Sequence, residues 1–329
     1  MNKVIIGIHG LGNKPPKETI EKWWLESMCE GLNKIGKFQY VPKFELVYWA
    51  DILNDEPLDE QITDIENPYY LDEKYVKAPL QSTPRDNSTR KKFLGFLEDQ
   101  LDKIFLNEDL TSNFTFVSDL IFKNYFKELE IYYSKIINNN STEVKTAKEK
   151  IRNRLSEVIK KYDGEEILLI AHSMGSIIAY DVCSIEVPNI KIDTLVTMGS
   201  PLGLPIVISK IADEIKETNP DLHKLSTPQN VQNKWTNFYD LEDNVAINYN
   251  LTDDYKENTN GVQVVDVNVL NNYEINEEKN PHKSFGYLRA PEFSELLSEF
   301  LIKDVSNFEL WQIKTKEKLI KFFKKIKGN

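Results

Sequence analysis

The stretch EILLIAHSMGSIIAYDV, residues 166–182, constrains this chain more than any other. Ile167–Ala171 is an unbroken apolar run of strand length. It halts at His172-Ser173-Met174-Gly175, and apolar residues resume at Ile177, Ile178, Tyr180 and Val182 with helical spacing. A strand that passes through small-x-Ser-x-Gly directly into a helix predicts a sharp turn. In such a turn the serine takes a strained backbone conformation and its hydroxyl projects above a sheet. Small neighbours are needed because the strand and helix backbones approach closely there. Gly175 meets that need, while Ala171 stands where glycine is usual.

Three further spans, Lys3–His9, Phe44–Trp49 and Leu195–Met198, read as short buried strands. Helical patterns lie between them, as at Lys17–Ile35, where Ile20, Trp23, Trp24, Met28 and Leu32 recur at helix spacing. This alternation predicts an α/β fold with a mostly parallel central sheet and helices on both faces. A chain of 329 residues suits one large domain or a domain carrying an insertion, since single cores stop growing at roughly 250–300 residues. The insertion is expected at 51–160, because no convincing strand follows Ala50 until Ile167, far beyond an ordinary connection. Residues 1–50 and 161–304 then form the core. The first part of the insertion is polar, aromatic and punctuated by proline. Its second part has helical periods at Phe93–Leu106, Phe116–Ile137 and Val144–Tyr162.

The formal net charge of −11 argues against a general nucleic-acid binder, which needs an extended basic footprint. Residues 305–329 are the exception and read as a basic amphipathic helix. Leu319, Phe322, Phe323 and Ile326 fall on one arc, with Lys314, Lys318, Lys321 and Lys325 opposite. Such a helix either docks on its own domain or lies in an anionic membrane surface, a candidate peripheral contact. The two cysteines, Cys29 and Cys183, form no Cys-x-x-Cys or Cys/His spacing, so neither a disulfide framework nor a metal site is expected. The apolar run near the start is shorter than a secretory signal needs, and no run is long enough to span a membrane. A cytoplasmic protein is the expectation.

A serine at neutral pH needs a base, itself oriented by an acid. Of four histidines, His9 lies in the first turn, His172 adjoins the serine, and His223 sits in a polar stretch with no strand before it. His282, in a polar loop after the strand-like GVQVVDVNVL, remains as the base. The acid is expected between serine and histidine in the chain. Strand-like Trp235–Tyr239 is followed by two candidates, Asp240 and Asp243. Asp243 is preferred because the residues after it re-enter the core. Asp240 reads as a turn former bonding nearby amides and stands as the alternative, while Asp266 would be in mid-strand. Two backbone N–H groups should face a developing oxyanion, that of Met174 after the serine and that of Leu11 between Gly10 and Gly12. The glycine-rich turn at 10–12 lacks the full G-x-G-x-x-G spacing and the later acidic residue of a dinucleotide site.

Taken together, IHGLGN (8–13), IAHSMGS (170–176), VTMGSPLG (196–203), NFYDLEDNVA (237–246) and PHKSFGYL (281–288) resemble the serine α/β-hydrolases, and within them the lipase-like esterases. The resemblance spans the two core halves and not the insertion. It implies an α/β-hydrolase fold, a Ser173–His282–Asp243 triad, oxyanion amides at Leu11 and Met174, no cofactor and no metal. It also implies a lid or cap at the insertion, and a pocket bordered by His9, Gly10, His172, Ser200 and Pro201. The departures are Ala171 for glycine and Asn244 where proline often follows the acid. The activity implied is hydrolysis of a small ester or lipid through an acyl-serine. A thioesterase, an amidase and a non-catalytic interaction module on the same scaffold are the alternatives.

Overall fold

The computed structural model describes residues 2–37, 43–78, 129, 132, 133, 146–246 and 250–303. The helical periods expected at 93–106 and 116–137, apart from those three single residues, and the basic tail at 305–329 lie outside the described residues.

Six strands form one sheet: β1 (Lys3–Ile8), β2 (Lys43–Val47), β3 (Glu166–His172), β4 (Ile192–Met198), β5 (Val231–Tyr239) and β6 (Val264–Asn268). Their order is β2-β1-β3-β4-β5-β6, and every neighbouring pair is parallel. Parallel neighbours need crossovers, and the crossovers here place helices on both faces. The register pairs Ile8 with Ala171 and His172 with Met198, so β1, β3 and β4 end side by side at one edge.

Strand side chains alternate between faces, and the core divides accordingly. Val4, Ile6, Ile8, Ile167 and Leu169 pack on one face with helices α2 (Ala147–Lys161), α3 (Met174–Asp181) and α4 (Pro205–Lys216). Ile5, Leu168, Ile170, Val196 and Phe238 pack on the other with α1 (Lys17–Lys34) and, after the short helix α5 (Ser284–Leu288), α6 (Pro291–Ile302). Helix α1 stops at Gly36, whose φ of 68° is left-handed. There the Lys37 N–H reaches the Leu32 carbonyl at 3.0 Å and the Gly36 N–H reaches Asn33 at 3.1 Å, which satisfies the orphan carbonyls of the last turn.

Helix α2 lies in the span expected as insertion, yet its buried face, Ile151, Leu155 and Ile159, belongs to the core of the sheet. Thr146 and Glu149 form a reciprocal cap at its start, a feature worth about 1 kcal/mol. Its buried Arg152 joins three helices, bonding Glu214 of α4 at 2.5 and 2.8 Å and pairing with Asp181 of α3. Ile52 still packs on the α2 side, and residues 58–78 reach the opposite side, where Leu58, Tyr75 and Val76 pack on the second core cluster and Leu71 is buried in it. Cys29 and Cys183 are free thiols. Among the described residues no helix is long and apolar enough to cross a membrane.

Candidate active site

Ser173 is the residue between β3 and α3, and its φ of 54° lies where side chains with a Cβ rarely go. The close approach expected there is present. A Cβ added at Gly175 would stand 2.7 Å from the Ile8 carbonyl oxygen, and one at Gly10 would stand 2.6 Å from the Ser173 Cβ. Alanine at either position would push the first loop away from the serine.

His282 Nε2 lies 2.9 Å from Ser173 Oγ, and His282 Nδ1 lies 2.9 Å from both carboxylate oxygens of Asp243. A carboxylate only accepts, so the imidazole proton sits on Nδ1 and leaves Nε2 to accept from the serine hydroxyl. The three side chains therefore form one hydrogen-bonded chain across 39 and 109 residues of sequence separation. Such a chain can withdraw the hydroxyl proton while the carboxylate holds the ring in one tautomer.

Asp243 is fixed from several sides. Its Oδ1 accepts from the Val245 N–H at 2.8 Å, and its Oδ2 accepts from the Tyr287 hydroxyl at 2.6 Å. That hydroxyl in turn accepts from the Asp240 N–H at 3.0 Å. Burial and the adjacent Asp243 hold the Tyr287 phenol well above its ordinary range, so it remains a donor. Asp240 does the work of a turn. Its carboxylate accepts from the Glu242 N–H at 2.7 Å and the Asn271 N–H at 2.6 Å, and it makes no contact with His282 among the hydrogen bonds of that ring. Asp266 is in mid-strand, bonded to Asn237 and Thr252.

His9 and His172 are both buried and neutral. Burial, aided by the positive charge of Lys14, lowers His9 to about 3. Burial also takes His172 well below its ordinary value, with His282 adding to the shift. The His9 Nε2 accepts from the Trp49 N–H at 3.0 Å, so its proton is on Nδ1, which donates to the Gly10 carbonyl at 2.8 Å. In a planar trans peptide the C=O and the following N–H point in opposite directions. Holding the Gly10 carbonyl therefore sets the direction of the Leu11 N–H. Lys14 Nζ gathers the carbonyls of Leu11, Gly12 and Asn13 on one side of the same loop. Met174 opens α3, so its N–H is among those with no intrahelical carbonyl.

A cavity of about 390 Å³ opens over Ser173 and His282, within the range of small-molecule sites. His9, Gly10, Leu11 and His172 line it, with Ile20, Trp23, Leu71 and Phe285 as an apolar wall. Ser200 and Pro201, expected at this wall, are not among its lining residues. Ser200 is buried beneath α3, its hydroxyl 2.7 Å from that of Ser176. The residue of that turn that meets the site is Gly199, at φ 54°, where a Cβ would stand 2.8 Å from Asp243 Oδ2 and 3.1 Å from His282 Nδ1. Sequence reasoning gave Gly199 only a share in the turn at 199–201, and it passed over Tyr287 and the role of His172. Tyr287 lies five residues after His282 on α5, a short helix whose inward face is not marked by periodicity. Among the described residues no group of three or more His, Cys, Asp or Glu is arranged to hold a metal ion. The chain matches no protein-family model and no curated protein sequence, so the reading of this site rests on its geometry.

Proposed function

We propose that this protein is a serine hydrolase of the α/β-hydrolase fold that cleaves a carboxylic ester through an acyl-serine. The observation that carries the reading is the Ser173–His282–Asp243 hydrogen-bonded chain, built on a serine with φ of 54° at a strand-to-helix turn. In the proposed reaction His282 Nε2 takes the Ser173 proton as Oγ attacks the substrate carbonyl carbon. The N–H groups of Met174 and Leu11 receive the developing oxyanion. His282 then gives the proton to the departing alkoxide, and the acyl-serine remains. Water, deprotonated by the same nitrogen, attacks the acyl carbon and releases the acid and the free serine.

The apolar wall of Ile20, Trp23, Leu71 and Phe285 suits an acyl chain. We propose further that residues 51–78, the described part of the expected insertion that lies apart from α2, act as a lid or cap, a reading supported by Leu58, Leu71 and Glu73 bordering the cavity.

The test is labelling with a fluorophosphonate probe, followed by hydrolysis of an ester panel of graded acyl length. Labelling that Ser173→Ala abolishes, with turnover of at least one ester, is the expected result. Folded protein that neither labels nor turns over would point instead to an interaction module on a hydrolase-like scaffold.

A further inference from the structure

Glu73 lies on the segment at 71–78, far in sequence from the histidine loop, and grips that loop on both sides of His282. Its Oε1 accepts from Asn280 Nδ2, and its Oε2 stands 2.5 Å from Lys283 Nζ. The other end of the same Asn280 amide, Oδ1, accepts the His282 backbone N–H at 3.0 Å. We propose that Glu73 is a positioning residue for His282, acting by fixing the orientation of the Asn280 side chain.

The physical reason is the asymmetry of a primary amide. Its two ends are alike in shape and opposite in hydrogen bonding, so an unconstrained asparagine can present either one to its neighbour. A carboxylate only accepts. It therefore holds the NH₂ end, and the carbonyl end is left facing the His282 N–H. Reversing the amide would set NH₂ against N–H and release the histidine backbone. Burial alone would raise the Glu73 carboxyl, but the Lys283 ammonium and the two hydrogen bonds outweigh it and leave it below the ordinary range. The group is thus an ionised, accept-only partner near neutral pH.

The segment that delivers Glu73 is itself held. The Tyr273 hydroxyl donates to the Lys74 carbonyl at 2.6 Å, and Arg289 donates to the Val76 carbonyl at 2.5 Å. The Ala78 N–H and the Tyr75 hydroxyl both donate to Glu30 of α1 at 2.9 Å. The half-buried Lys283–Glu73 pair helps hold the carboxylate but does not itself touch the His282 backbone. The asparagine contact is what gives Glu73 an effect on the histidine. The catalytic consequence rests on the serine-hydrolase reading; the positional one does not.

The experiment compares full-length Glu73→Ala, Glu73→Gln, Lys283→Met and Asn280→Ala with wild type in two ways. The first is NMR of the His282 amide exchange rate and of the low-field Nδ1–H proton shared with Asp243. In Glu73→Ala, exchange at His282 should rise about tenfold or more and the Nδ1–H signal should broaden, with an unchanged melting temperature. Glu73→Gln keeps one acceptor but adds a donor that can meet Asn280 the other way round, so it should restore both signals only in part, and Lys283→Met, which leaves the Glu73–Asn280 bond in place, should alter exchange less than about threefold. The second readout is ester kinetics, where Glu73→Ala should lower kcat about tenfold with KM within about twofold. Wild-type exchange and signal in Glu73→Ala would overturn the proposal, as would a Lys283→Met variant that reproduces the alanine effect. If Glu73→Ala does not fold, Asn280→Ala must give the same exchange signature, and its absence overturns the proposal. Failure of the hydrolase reading is separately visible as absent labelling and turnover in wild type, and it leaves the NMR test in force.

Discussion

His172 Nε2 donates to the backbone carbonyl of His282 at 2.7 Å, joining the residue before Ser173 to the residue that faces it. The carbonyl can only accept, so the His172 proton is on Nε2. The two rings stand 4.9 Å apart. One hydrogen bond thus ties the end of β3 to a loop 110 residues away. The contact braces the loop that carries His282 without involving Ser173 Oγ or His282 Nε2.

His172→Phe should therefore lower kcat by about tenfold or more, with a smaller change in KM because the ring also lines the cavity. The orphaned carbonyl should cost about 1–3 kcal/mol of stability. Steady-state ester kinetics with urea denaturation checks both. A rise in KM alone would make His172 a pocket wall and nothing more.

Ser173→Ala and His282→Ala should each lower kcat by on the order of 10⁴–10⁶, and the double variant should be little worse than either single one. Asp243→Asn should lose orders of magnitude because a neutral amide no longer stabilises the imidazolium and can turn its NH₂ to Nδ1, which favours the wrong tautomer. Asp240→Asn should retain kcat within a few-fold and lose stability, since its two oxygens serve backbone amides. A larger kcat loss for Asp240→Asn than for Asp243→Asn would assign the acid to the other residue.

Tyr287→Phe removes the 2.6 Å donor to Asp243 and the acceptor of the Asp240 N–H. The variant should be about 1–3 kcal/mol less stable. Its kcat should fall by less than that of Asp243→Asn, because the carboxylate still faces His282. Thermal melts and kinetics on the same preparations separate the two effects.

The acid limb of the stability curve should carry the signature of His9. Its folded value is lowered from 6.5 to about 3, so between those limits the unfolded chain binds a proton that the folded chain does not. Its contribution is fully present above about pH 6.5 and is lost as pH falls toward 3, by up to about 1.4 kcal/mol per unit. Urea denaturation from pH 7 to 5 should give a shallower pH slope for His9→Gln than for wild type. Equal slopes would mean that the folded protein protonates His9 in this range.

Much of the fold was legible because its signals are local. Apolar runs of strand length at residues 3–9, 44–49 and 167–171 correspond to β1, β2 and β3 within a residue or two. The helical period over 17–35 corresponds to α1. The boundary at 160 was less legible. Connection length argued for an insertion there, but the burial of Ile151, Leu155 and Ile159 against the sheet is a tertiary fact that length does not report.

The sequence by itself determined the strand, turn and helix around Ser173, since small residues and hydrophobic period act over a few positions. It also determined the chain order of serine, aspartate and histidine. Only the tertiary structure decided which side chains meet. Asp243 rather than Asp240 faces His282 because the Asp240 carboxylate is spent on the Glu242 and Asn271 amides. Gly199 rather than Ser200 meets the Asp243–His282 pair because its missing Cβ leaves the room that the carboxylate and ring occupy. His172, Tyr287 and Glu73 reach the site through contacts 44 to 210 residues apart in sequence, where no local period leaves a mark.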